Sequence, residues 1–592
     1  MIVPMKKATI FVQSKDADGA INELRSLGIL HVEHHKAPAG KEIEIIASGI
    51  SMLSEAINIL SEQAFINRAA RERDAKTPRP AKDWKTAALH IIDARKRFEQ
   101  LKEYSVTLKA MITEWGRWGD FEPEEINELS EKGMFIELYQ IPVKKLNTIP
   151  EGIFVKKIFT KGEFAHCVLV SQSRIDIPYK EIMLPKMGPD KMQARLSEDA
   201  KVMDSIRKAV SRFVTYKNTF QETKRSLEKE LEFNHALKGM GEDSEIAYIS
   251  GFIPHDAEAL IKDASKREKW GLLVDDVSDE DKVPTLIRNP RWVSIINPVF
   301  KMIEIVPGYS ELDISMWFLI FFSIFFGILI GDAGLGAVYF ILTLIFHRKL
   351  KNILNSNALP ILFYLLSFCA IIWGVLTATF FGQEWLSPYF KPLVPALNDY
   401  RNMQNICFVI GAFQLSIAHI WRAVIKAPSI AALSEFGWVL ILWGAFFLAR
   451  TMVLAYPFPK LALWFLSIGA VVVIIFTSPN RNIIKGIGAG LGSLLKNLVN
   501  SFTDIVSYVR LFAVGLATVA VADAFNKLAL DIGFNGFFAG IATSLILILG
   551  QVLNVLLGPM SILVHGVRLN VLEFCSHLEV TWSGFSYKPL KK

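Results

Sequence analysis

An arginine lies in the middle of an apolar helical stretch, at Arg510 in the segment SYVRLFAVGLATVAVADAF, residues 507–525. A guanidinium stays charged at any physiological pH, and placing it in hydrocarbon costs roughly 2.5–3.5 kcal/mol on insertion scales. The side chain must therefore face protein or water. A fixed positive charge in such a place can bind a carboxylate and can repel a passing cation. Arg510 is the first candidate functional residue.

A row of small residues follows Arg510 on the same helix face. Its members, spaced three or four residues apart, are Ala513, Ala517, Ala520 and Ala524. Small side chains let a second helix approach closely inside a membrane. We therefore expect a neighbouring helix against this face, with Arg510 reaching an acidic group on it. An acid of the same chain, with no foreign helix alongside, would contradict this hypothesis.

A polar stripe runs along the last apolar stretch of the chain. Its members, again three or four residues apart, are Gln551, Asn554, Gly558, Ser561, His565 and Arg568. At 1.5 Å rise per residue the stripe is roughly 25 Å long, most of the hydrocarbon thickness. Lipid cannot cover it, so it faces water or protein. The favoured interpretation is an ion path with Arg568 as a second cation; hydrogen-bonded packing between helices is the alternative.

Several further polar residues lie in or near the apolar stretches. Glu573, one turn beyond Arg568, is the best further candidate for an ion route, whereas Asp332 is expected to cap the helix that follows it. Three acids lie near the ends of stretches, where snorkelling or solvation is the favoured explanation and an access route for ions is the alternative: Glu435, Asp504 and Asp523. His419, inside a stretch, is expected to be a hydrogen-bonded packing residue rather than a member of a relay.

Nothing in the sequence indicates a nucleotide, metal or cofactor site. Four glycines alternate at Gly486, Gly488, Gly490 and Gly492, but no GxxxxG is followed by Lys-Ser or Lys-Thr, so they form no P-loop. The four cysteines, Cys167, Cys369, Cys407 and Cys575, are far apart and have no metal-ligand spacing. We expect no catalytic centre in this chain.

The 592 residues divide into two halves of different composition. Up to about residue 307 the sequence is polar and charge-rich, and from residue 314 long apolar runs dominate, which is typical of a soluble region followed by a polytopic membrane region. The net charge of +7 is no nucleic-acid signal, because no basic run with interleaved aromatic residues occurs. The N-terminus MIVPMKKATIFVQ lacks the apolar core of a signal peptide, so we expect the soluble half in the cytosol.

A strand–helix–strand pattern occurs twice in the soluble half. It covers residues 7–12, 16–27 and 29–33, and it returns at 245–254, 256–268 and 271–274. The similar form of these two distant pieces predicts that they pair in one lobe near the membrane.

Long helical stretches with heptad seams lie between the two pieces. The outbound seams are Ile46, Ile50, Leu53, Ile57 and Leu60, then Ile91, Ala94, Phe98, Leu101, Ser105, Leu108, Ile112 and Trp115, and the return seam is Ile206, Val210, Phe213, Phe220, Leu227 and Leu231. Such a 3.5-residue repeat favours a coiled coil. Residues 76–82 form a break, and strands are predicted at 134–141, 153–159 and 166–171. An antiparallel arm with a small lobe at each end is favoured over a compact helical domain.

Eight apolar windows in the second half predict about eight membrane spans, near residues 314–331, 333–346, 359–381, 403–421, 433–455, 460–477, 503–526 and 536–570. Ten cations lie on the side of the N-terminal half: Arg348, Lys349, Lys351, Arg422, Lys426, Arg481, Lys485, Lys588, Lys591 and Lys592. Five lie on the other side: Lys391, Arg401, Arg450, Lys460 and Lys527. The excess predicts both termini in the cytoplasm.

The predicted fold class is therefore mixed, with N-terminal α+β lobes joined by an antiparallel coiled-coil arm and a C-terminal all-α membrane domain. The predicted divisions are a membrane-proximal lobe at 1–40 and 243–300, the arm at 41–119 and 188–242, a distal lobe at 120–187, and a transmembrane ion-translocating domain at 308–592.

These features together resemble a known family, the I subunits of V/A-type ATPases, which are equivalent to subunit a of eukaryotic V-ATPases. The resemblance covers essentially the whole chain. The segments SYVRLFAVGLA and HGVRLNVLEF carry it most specifically, and GFIP at 251–254 and GDAG at 331–334 support it.

The resemblance implies a non-catalytic stator subunit whose membrane half packs against a rotating proteolipid ring with a mid-membrane carboxylate on each ring subunit. Arg510 matches the essential arginine of the family and Arg568 matches the second one. Implied partners are the ring, peripheral-stalk heterodimers, the central-shaft connector and the lipid membrane, with no nucleic acid. The implied location is a prokaryotic plasma membrane.

The chain departs from eukaryotic relatives at two positions. They carry a histidine eight residues after the first arginine, where this chain has Thr518, and a glutamate ten residues before the second, where it has Gly558. Two other functions stay open. One is a secondary ion transporter with a regulatory arm, although no internal repeat is visible. The other is a scaffold in which Arg510 pairs with a carboxylate of the same chain.

Overall fold

The structure is a computed structural model that describes residues 1–33, 36–63, 65–66, 83–150, 152–243, 245–278, 280–354, 356–382, 391–477, 483–534 and 536–591. The predicted break at 76–82 lies outside these ranges. The chain divides into two compact units. One comprises Met1–Ile10, Ile29–His31 and Gly251–Pro589, and the other comprises Phe11–Gly28, Val32–Ser250 and Leu590–Lys592. The finer division into lobes, arm and membrane domain stays a prediction.

Two sheets contain the described strands, which are β1 (Met5–Gln13), β2 (His31–Glu33), β3 (Phe135–Pro142), β4 (Phe154–Lys161), β5 (Phe164–Ser171), β6 (Lys180–Ile182), β7 (Gly241–Asp243), β8 (Ile246–Pro254) and β9 (Gly271–Asp276). The first sheet has the order β2-β8-β1-β9, with β7 on β8, so the two distant strand–helix–strand pieces pair as predicted. The second has the order β4-β5-β3-β6, and its short strand β6 was not predicted.

The helices of the soluble half are α1 (Ala17–Leu27), α2 (Lys41–Leu60), α3 (Trp84–Trp115), α4 (Pro123–Glu131), α5 (Pro189–Ser211), α6 (Lys217–Lys238) and α7 (Glu258–Glu268). Helix α2 packs against α6 and α3 packs against α5, which pairs the outbound helices with the returning ones. The heptad residues Leu53, Ile91, Val210 and Phe220 are buried in one apolar cluster. A short 3-10 turn at Arg212–Tyr216 interrupts the return stretch, so it forms two helices.

The helices of the second half are α8 (Asn297–Ile303), α9 (Ser315–Ile330), α10 (Ala333–Leu354), α11 (Ala358–Thr377), α12 (Tyr400–Lys426), α13 (Ala432–Leu454), α14 (Lys460–Phe476), α15 (Ile483–Ser507), α16 (Val509–Ile532), α17 (Phe537–Ser561) and α18 (Cys575–Leu578). Each of the eight apolar windows coincides with one of α9 to α14, α16 or α17. Helix α15 was not predicted, because its sequence has no long apolar run. The predicted mixed fold class is confirmed.

Seven helical segments among the described residues are long and apolar enough to cross a membrane. Six lie in the second half and include the continuous segments Leu494–Ile532 and Phe537–Leu578. The seventh is α2, Lys41–Leu60, which packs against α3 and α6. Two predicted spans, α9 and α14, are apolar but shorter, at 16 and 17 residues.

Close approach between α10 and α11 depends on glycine. A Cβ atom on Gly374 would lie 2.0 Å from the backbone N of Ala333, and one on Gly336 would lie 2.8 Å from the backbone N of Ile371. Helix α9 packs against α11 and α16, and its phenylalanines, such as Phe318 and Phe325, are fully buried. The start of the membrane half is thus built around α9.

The C-terminal segment after α18 is held by a carboxylate. Glu311 accepts hydrogen bonds from the hydroxyl of Thr581, at 2.6 Å, and from the backbone N–H groups of Thr581, Trp582 and Gly308. Burial alone would raise the pKa of Glu311, but these hydrogen bonds outweigh it, so the pKa lies below its ordinary value. Further on, Phe585 accepts a backbone hydrogen bond from Thr285.

Gly374→Ala should destabilise the membrane half by about 1–3 kcal/mol, because the added methyl group meets backbone atoms that cannot move without separating α10 from α11. Thermal unfolding of the detergent-solubilised protein measures the effect. Gly488→Ala is the matched control, since a Cβ there has no atom within 4 Å. Equal unfolding temperatures for the two variants would contradict this account of the α10–α11 contact.

Candidate functional site

A buried hydrogen-bond network fixes the position of Arg510. Tyr508, at the N-cap of α16, is fully buried and donates its hydroxyl to Gln414 Oε1 on α12 at 2.8 Å. Gln414 Nε2 donates to Asn570 Oδ1 at 3.0 Å, and Asn570 Nδ2 donates to the Gly566 carbonyl at 2.9 Å. The network therefore ties the segment that carries Arg510 to the segment that carries Arg568.

Arg510 forms an ion pair within its own chain. Its Nη2 donates to Glu573 Oε1 at 2.7 Å, and its Nε donates to the Ser507 carbonyl at 3.1 Å. Arg568 Nε lies 3.6 Å from the same carboxylate oxygen. Glu573 is buried, and its other oxygen has no hydrogen-bond partner among the described residues. One carboxylate is thus shared between the two arginines that the sequence analysis singled out.

Two π-helical turns explain how Glu573 reaches this position. They cover Ile562–Gly566 and Leu569–Phe574, between α17 and α18. Residues five apart point about 140° away from each other on an α-helix, whereas the i→i+5 hydrogen bonds of a π-helix bring them towards one face. Arg568 and Glu573 are five apart. The π-turns therefore place them side by side, in agreement with the tendency of π-turns to occur at functional sites.

The pairing bears directly on the hypothesis for Arg510. An acid of the same chain does contact the guanidinium, which is the contact that the scaffold alternative requires. The contact uses only part of the group, however. Nη1 has no acceptor among the described residues, and 24% of the side chain is exposed. The Arg568 side chain is 54% exposed.

Helix α16 has two distinct faces. Its buried face includes Leu511, Gly515 and Thr518, and a Cβ on Gly515 would lie 2.7 Å from the Ile328 carbonyl of α9. Its opposite face is the predicted small-residue row, all of whose members are exposed in this chain: Ala513, Ala517, Ala520 and Ala524. Helix α17 differs, because its exposed residues are large, including Leu549, Leu553, Leu556 and Met560.

The polar stripe on α17 is buried at one end and exposed at the other. Asn554 is fully buried, and neither its amide N nor its amide O has a partner among the described residues. Gln551 Nε2 donates to the Phe381 carbonyl at 3.3 Å, while its Oε1 is unpartnered. Ser561 and His565 are half-buried and Arg568 is exposed. Part of the stripe thus contributes to helix packing, and part carries polar atoms that have no hydrogen-bond partner among the described residues.

Gly558 in the stripe makes room for a tyrosine. Pro559 follows it inside α17, and because proline has no N–H, the Val555 carbonyl four residues earlier loses its helical donor. The hydroxyl of Tyr339 on α10 donates to this carbonyl at 3.0 Å. A Cβ on Gly558 would lie 2.4 Å from that hydroxyl oxygen. A glutamate at this position would therefore collide with Tyr339 in this packing.

Asp332 caps α10, as predicted, and also holds the segment that follows α11. Its Oδ1 accepts the Leu335 N–H at 2.9 Å, and its Oδ2 accepts the Gly382 N–H at 3.0 Å. Asn526 on α16 donates to the carbonyls of Phe381 and Gly382 at 2.8 and 3.0 Å. Asp332 is therefore a structural residue.

A cavity of about 410 Å³ lies along α16, between its buried face and its small-residue row. Polar lining residues are Thr377, Thr379 and Asp523, and α16 adds Gly515 and Ala520. Asp523, which was predicted to lie at a span end, borders this cavity. The cavity extends along α16 from Asp523 towards the end that carries Arg510. This cavity was not predicted.

A second buried charged cluster was also missed. It joins His419 on α12, Glu435 on α13, Asp504 on α15 and His577 on α18 through side-chain contacts of 2.7 to 3.1 Å. Solvation was the favoured explanation for Glu435 and Asp504, with an access route as the alternative, and His577 was not predicted to be functional. Up to 158 positions separate contacting residues, so no local spacing could have shown the cluster. His419 is hydrogen-bonded and buried, as predicted.

The chain is similar over its full length to I subunits of V-type ATP synthases. It is 29% identical to the V-type ATP synthase subunit I of Borreliella burgdorferi and 26% identical to subunit I 1 of Treponema pallidum, with 100% of both chains covered in each comparison. It is 24% identical to the A-type ATP synthase subunit I of Methanocaldococcus jannaschii, over 60% of this chain and 56% of that one. No family model matches. The predicted resemblance to subunit I is confirmed.

A solved structure, the cytoplasmic N-terminal domain of a subunit I homologous to subunit a of V-ATPase, aligns with 13% identity over 45% of this chain and 99% of that chain. Its TM-score of 0.21 is too low to compare the two folds. The full-length similarity to named relatives is consistent with a membrane subunit of a rotary ATPase.

Asn554→Leu should preserve or raise the unfolding temperature of the solubilised protein, because an unpartnered buried amide costs about 1–3 kcal/mol. If the stripe lines an ion path, the same change should lower ion flux severalfold in reconstituted vesicles. Thr543→Val is the control: its hydroxyl donates to the Gly533 carbonyl at 2.7 Å, so this change should lower stability and leave flux unchanged. Normal flux with Asn554→Leu would show that the polar stripe serves helix packing and lines no ion path.

Proposed function

We propose that this chain is the stator membrane subunit of a rotary V/A-type ATPase, in which it couples ion translocation to the rotation of a proteolipid ring and to ATP turnover. The chain itself is a non-catalytic, ion-translocating subunit. The observation that carries the proposal is the exposed face of α16, where a row of alanines continues from a partly exposed arginine.

The composition of that face favours a protein partner over lipid. A helix in contact with lipid gains from large apolar side chains, as on the exposed face of α17. Alanines offer little apolar surface, but they let another backbone approach closely. A charged side chain at the end of the row would be costly against hydrocarbon and favourable beside a carboxylate. A helix that carries a buried acid fits both properties.

The chemistry at this interface follows from charge and desolvation. A ring carboxylate can face lipid only when it is neutralised, because a bare charge there is too costly. When it reaches Arg510, the guanidinium favours its ionised form and the bound ion is released. The same fixed charge repels any cation that would pass directly between the two sides, and such a leak would dissipate about 2.3 kcal/mol per charge per 100 mV.

Glu573 fits this mechanism as a resident counter-ion. Between passages of ring carboxylates, Arg510 would face a low-dielectric surface without compensation. The Glu573 contact at 2.7 Å supplies that compensation, while the open Nη1 leaves a place for the incoming acid. Arg510 would then exchange between two carboxylates, Glu573 and that of the ring. The ion pair inside the chain is therefore compatible with a role of Arg510 at the ring.

Two routes could lead ions to the α16 face. The cavity of about 410 Å³ is the candidate for one half-channel, with Thr377, Thr379 and Asp523 along it. The polar stripe adjoins Arg510 from α17, where Ser561, His565 and Arg568 are at least partly exposed. Offset half-channels of this kind make an ion ride on the ring between entry and exit.

The remaining parts of the proposal concern the assembly. We infer a multi-pass protein of a prokaryotic plasma membrane with both termini in the cytoplasm, as the cation excess on that side predicts. The cytosolic lobes would hold the peripheral-stalk heterodimers and contact the central-shaft connector. The proteolipid ring and lipid would surround the membrane half.

Arg510→Lys should reduce ATP-driven ion pumping by more than about tenfold in vesicles, because lysine offers a point charge instead of the planar fork that can serve two carboxylates. Assembly should survive, as judged by co-purification of the ring. Arg450→Lys is the control, a membrane-helix arginine on α13 that lies over the ring of Tyr456. Normal pumping by Arg510→Lys would favour the scaffold alternative, in which the lysine simply keeps the Glu573 pair.

Replacing residues 120–187 by a short glycine-serine linker should leave membrane insertion intact but weaken attachment of the peripheral stalks. Helices α3 and α5 pack together on either side of the deletion, so the arm keeps its own contacts. Stalk recovery in affinity purification of the complex is the measurement. Recovery at the wild-type level would place the attachment site elsewhere.

A further inference from the structure

The buried cluster on α12, α13, α15 and α18 is a continuous chain of four groups that can each exchange a proton. Glu435 Oε2 lies 2.7 Å from His419 Nδ1, His419 Nε2 lies 2.9 Å from His577 Nδ1, and His577 Nε2 lies 3.1 Å from Asp504 Oδ2. Both nitrogens of both imidazoles are therefore used, and a carboxylate stands at each end.

The chain connects a charged surface to the segment that leads to Arg510. At one end, Glu435 Oε1 contacts Lys426 Nζ at 2.6 Å and Arg422 Nη2 at 3.2 Å, and Arg422 also pairs with Glu579. The side chains of Lys426 and Glu579 are 38% and 70% exposed. At the other end, Asp504 is 22% exposed and lies six residues before Arg510. The links between are 1% to 8% exposed.

The three hydrogen bonds of the cluster fix how many protons the four groups share. Three hydrogen bonds need three protons, but two neutral imidazoles supply only two. The third must come from one carboxyl group or from one imidazolium. The geometry is therefore satisfied when the four groups share one extra proton, and two neutral imidazoles between two ionised carboxylates would leave one contact without hydrogen.

We propose that the hydrogen-bonded chain from Glu435 to Asp504 is a proton relay and that the transported ion is H⁺ rather than Na⁺. This inference rests on the stator function proposed above. In one end state the extra proton is on Glu435, both imidazoles carry theirs on Nε2, and Asp504 is ionised. Three protons then shift along the chain: Glu435 to His419 Nδ1, His419 Nε2 to His577 Nδ1, and His577 Nε2 to Asp504. One proton has entered at Glu435 and one is available at Asp504.

Both end states keep all three hydrogen bonds, so the shift breaks no contact without forming its replacement. After Asp504 gives up its proton to an acceptor at the α16 face, the imidazoles carry their protons on Nδ1. Before a new proton arrives at Glu435, each imidazole gives its Nδ1 proton to water and takes a proton from water on Nε2. This reset moves no net proton and requires the contacts of the hydrogen-bonded chain to open briefly.

The same geometry does not suit sodium. Hard cations take several oxygen ligands, whereas the middle of this chain is a nitrogen-to-nitrogen contact of 2.9 Å with no space for an ion between the rings. His419 is further confined by Trp438, which stacks on it with ring centroids 6.1 Å apart. A proton can pass such a contact by transfer, and a sodium ion cannot.

The test uses His419→Gln and His577→Gln in the complete complex, reconstituted in vesicles. Glutamine donates and accepts hydrogen bonds but cannot take up the extra proton. Each variant should therefore lower ATP-driven acidification by about a hundredfold, the lower end of the range for loss of a proton-transfer group. His347→Gln is the matched control, a membrane-helix histidine outside the relay that contacts Tyr364. Co-purification of the ring and the stalks checks assembly.

Asp504→Asn keeps the test decisive if the histidine variants fail to assemble, because this partly exposed end of the relay should tolerate the change. It should lower acidification to a similar degree. Acidification at the wild-type rate in Asp504→Asn, or in both histidine variants, would overturn the relay. If Arg510→Lys still lost acidification in the same vesicles, the proposed stator function would remain supported. ATP-driven uptake of radioactive sodium would overturn the choice of ion. Normal pumping by Arg510→Lys would instead overturn the proposed function itself.

Discussion

The charge of Arg510 is the constraint on which the membrane half depends. A guanidinium cannot be neutralised by losing a proton, so the protein must supply a counter-charge and a fixed position. Glu573 provides the first, and the buried network of Tyr508, Gln414 and Asn570 provides the second. The π-helical turns are part of the same arrangement, because a regular α-helix would point Glu573 away from Arg568.

The two faces of α16 are consistent with a helix that serves a fixed partner on one side and a passing one on the other. Towards α9 the contact is tight, and Gly515 permits backbone approach. On the outer side the four alanines are exposed and offer only small side chains from Ala513 to Ala524. Interlocking side chains resist sliding, whereas a smooth, small-residue surface lets successive helices pass with similar contacts. The alanine row therefore suits a rotating partner better than a permanently docked one.

Much of this site could be predicted from the sequence, because its signals are periodic. The alanine row, the polar stripe and the heptad seams each repeat at helical spacing, and Arg510 and Arg568 are conspicuous in apolar surroundings. The contact of Arg510 with Glu573 could not be derived, since it depends on two π-turns that have no composition signal. The relay could not be derived either, because it joins residues from four helices, and the departure at Gly558 became intelligible only with Tyr339 in place.

The two buried charged clusters differ in one chemical property that gives them separate roles in the proposed mechanism. Every link of the chain from Glu435 to Asp504 can gain and lose a proton, so the chain can conduct. Arg510 cannot, so it can only attract or repel. Asp504 and Arg510 lie six residues apart, on either side of the junction between α15 and α16. In the proposed mechanism, a proton delivered to Asp504 would therefore be repelled by the fixed charge of Arg510 and would be taken up by a carboxylate on the partner at the alanine row.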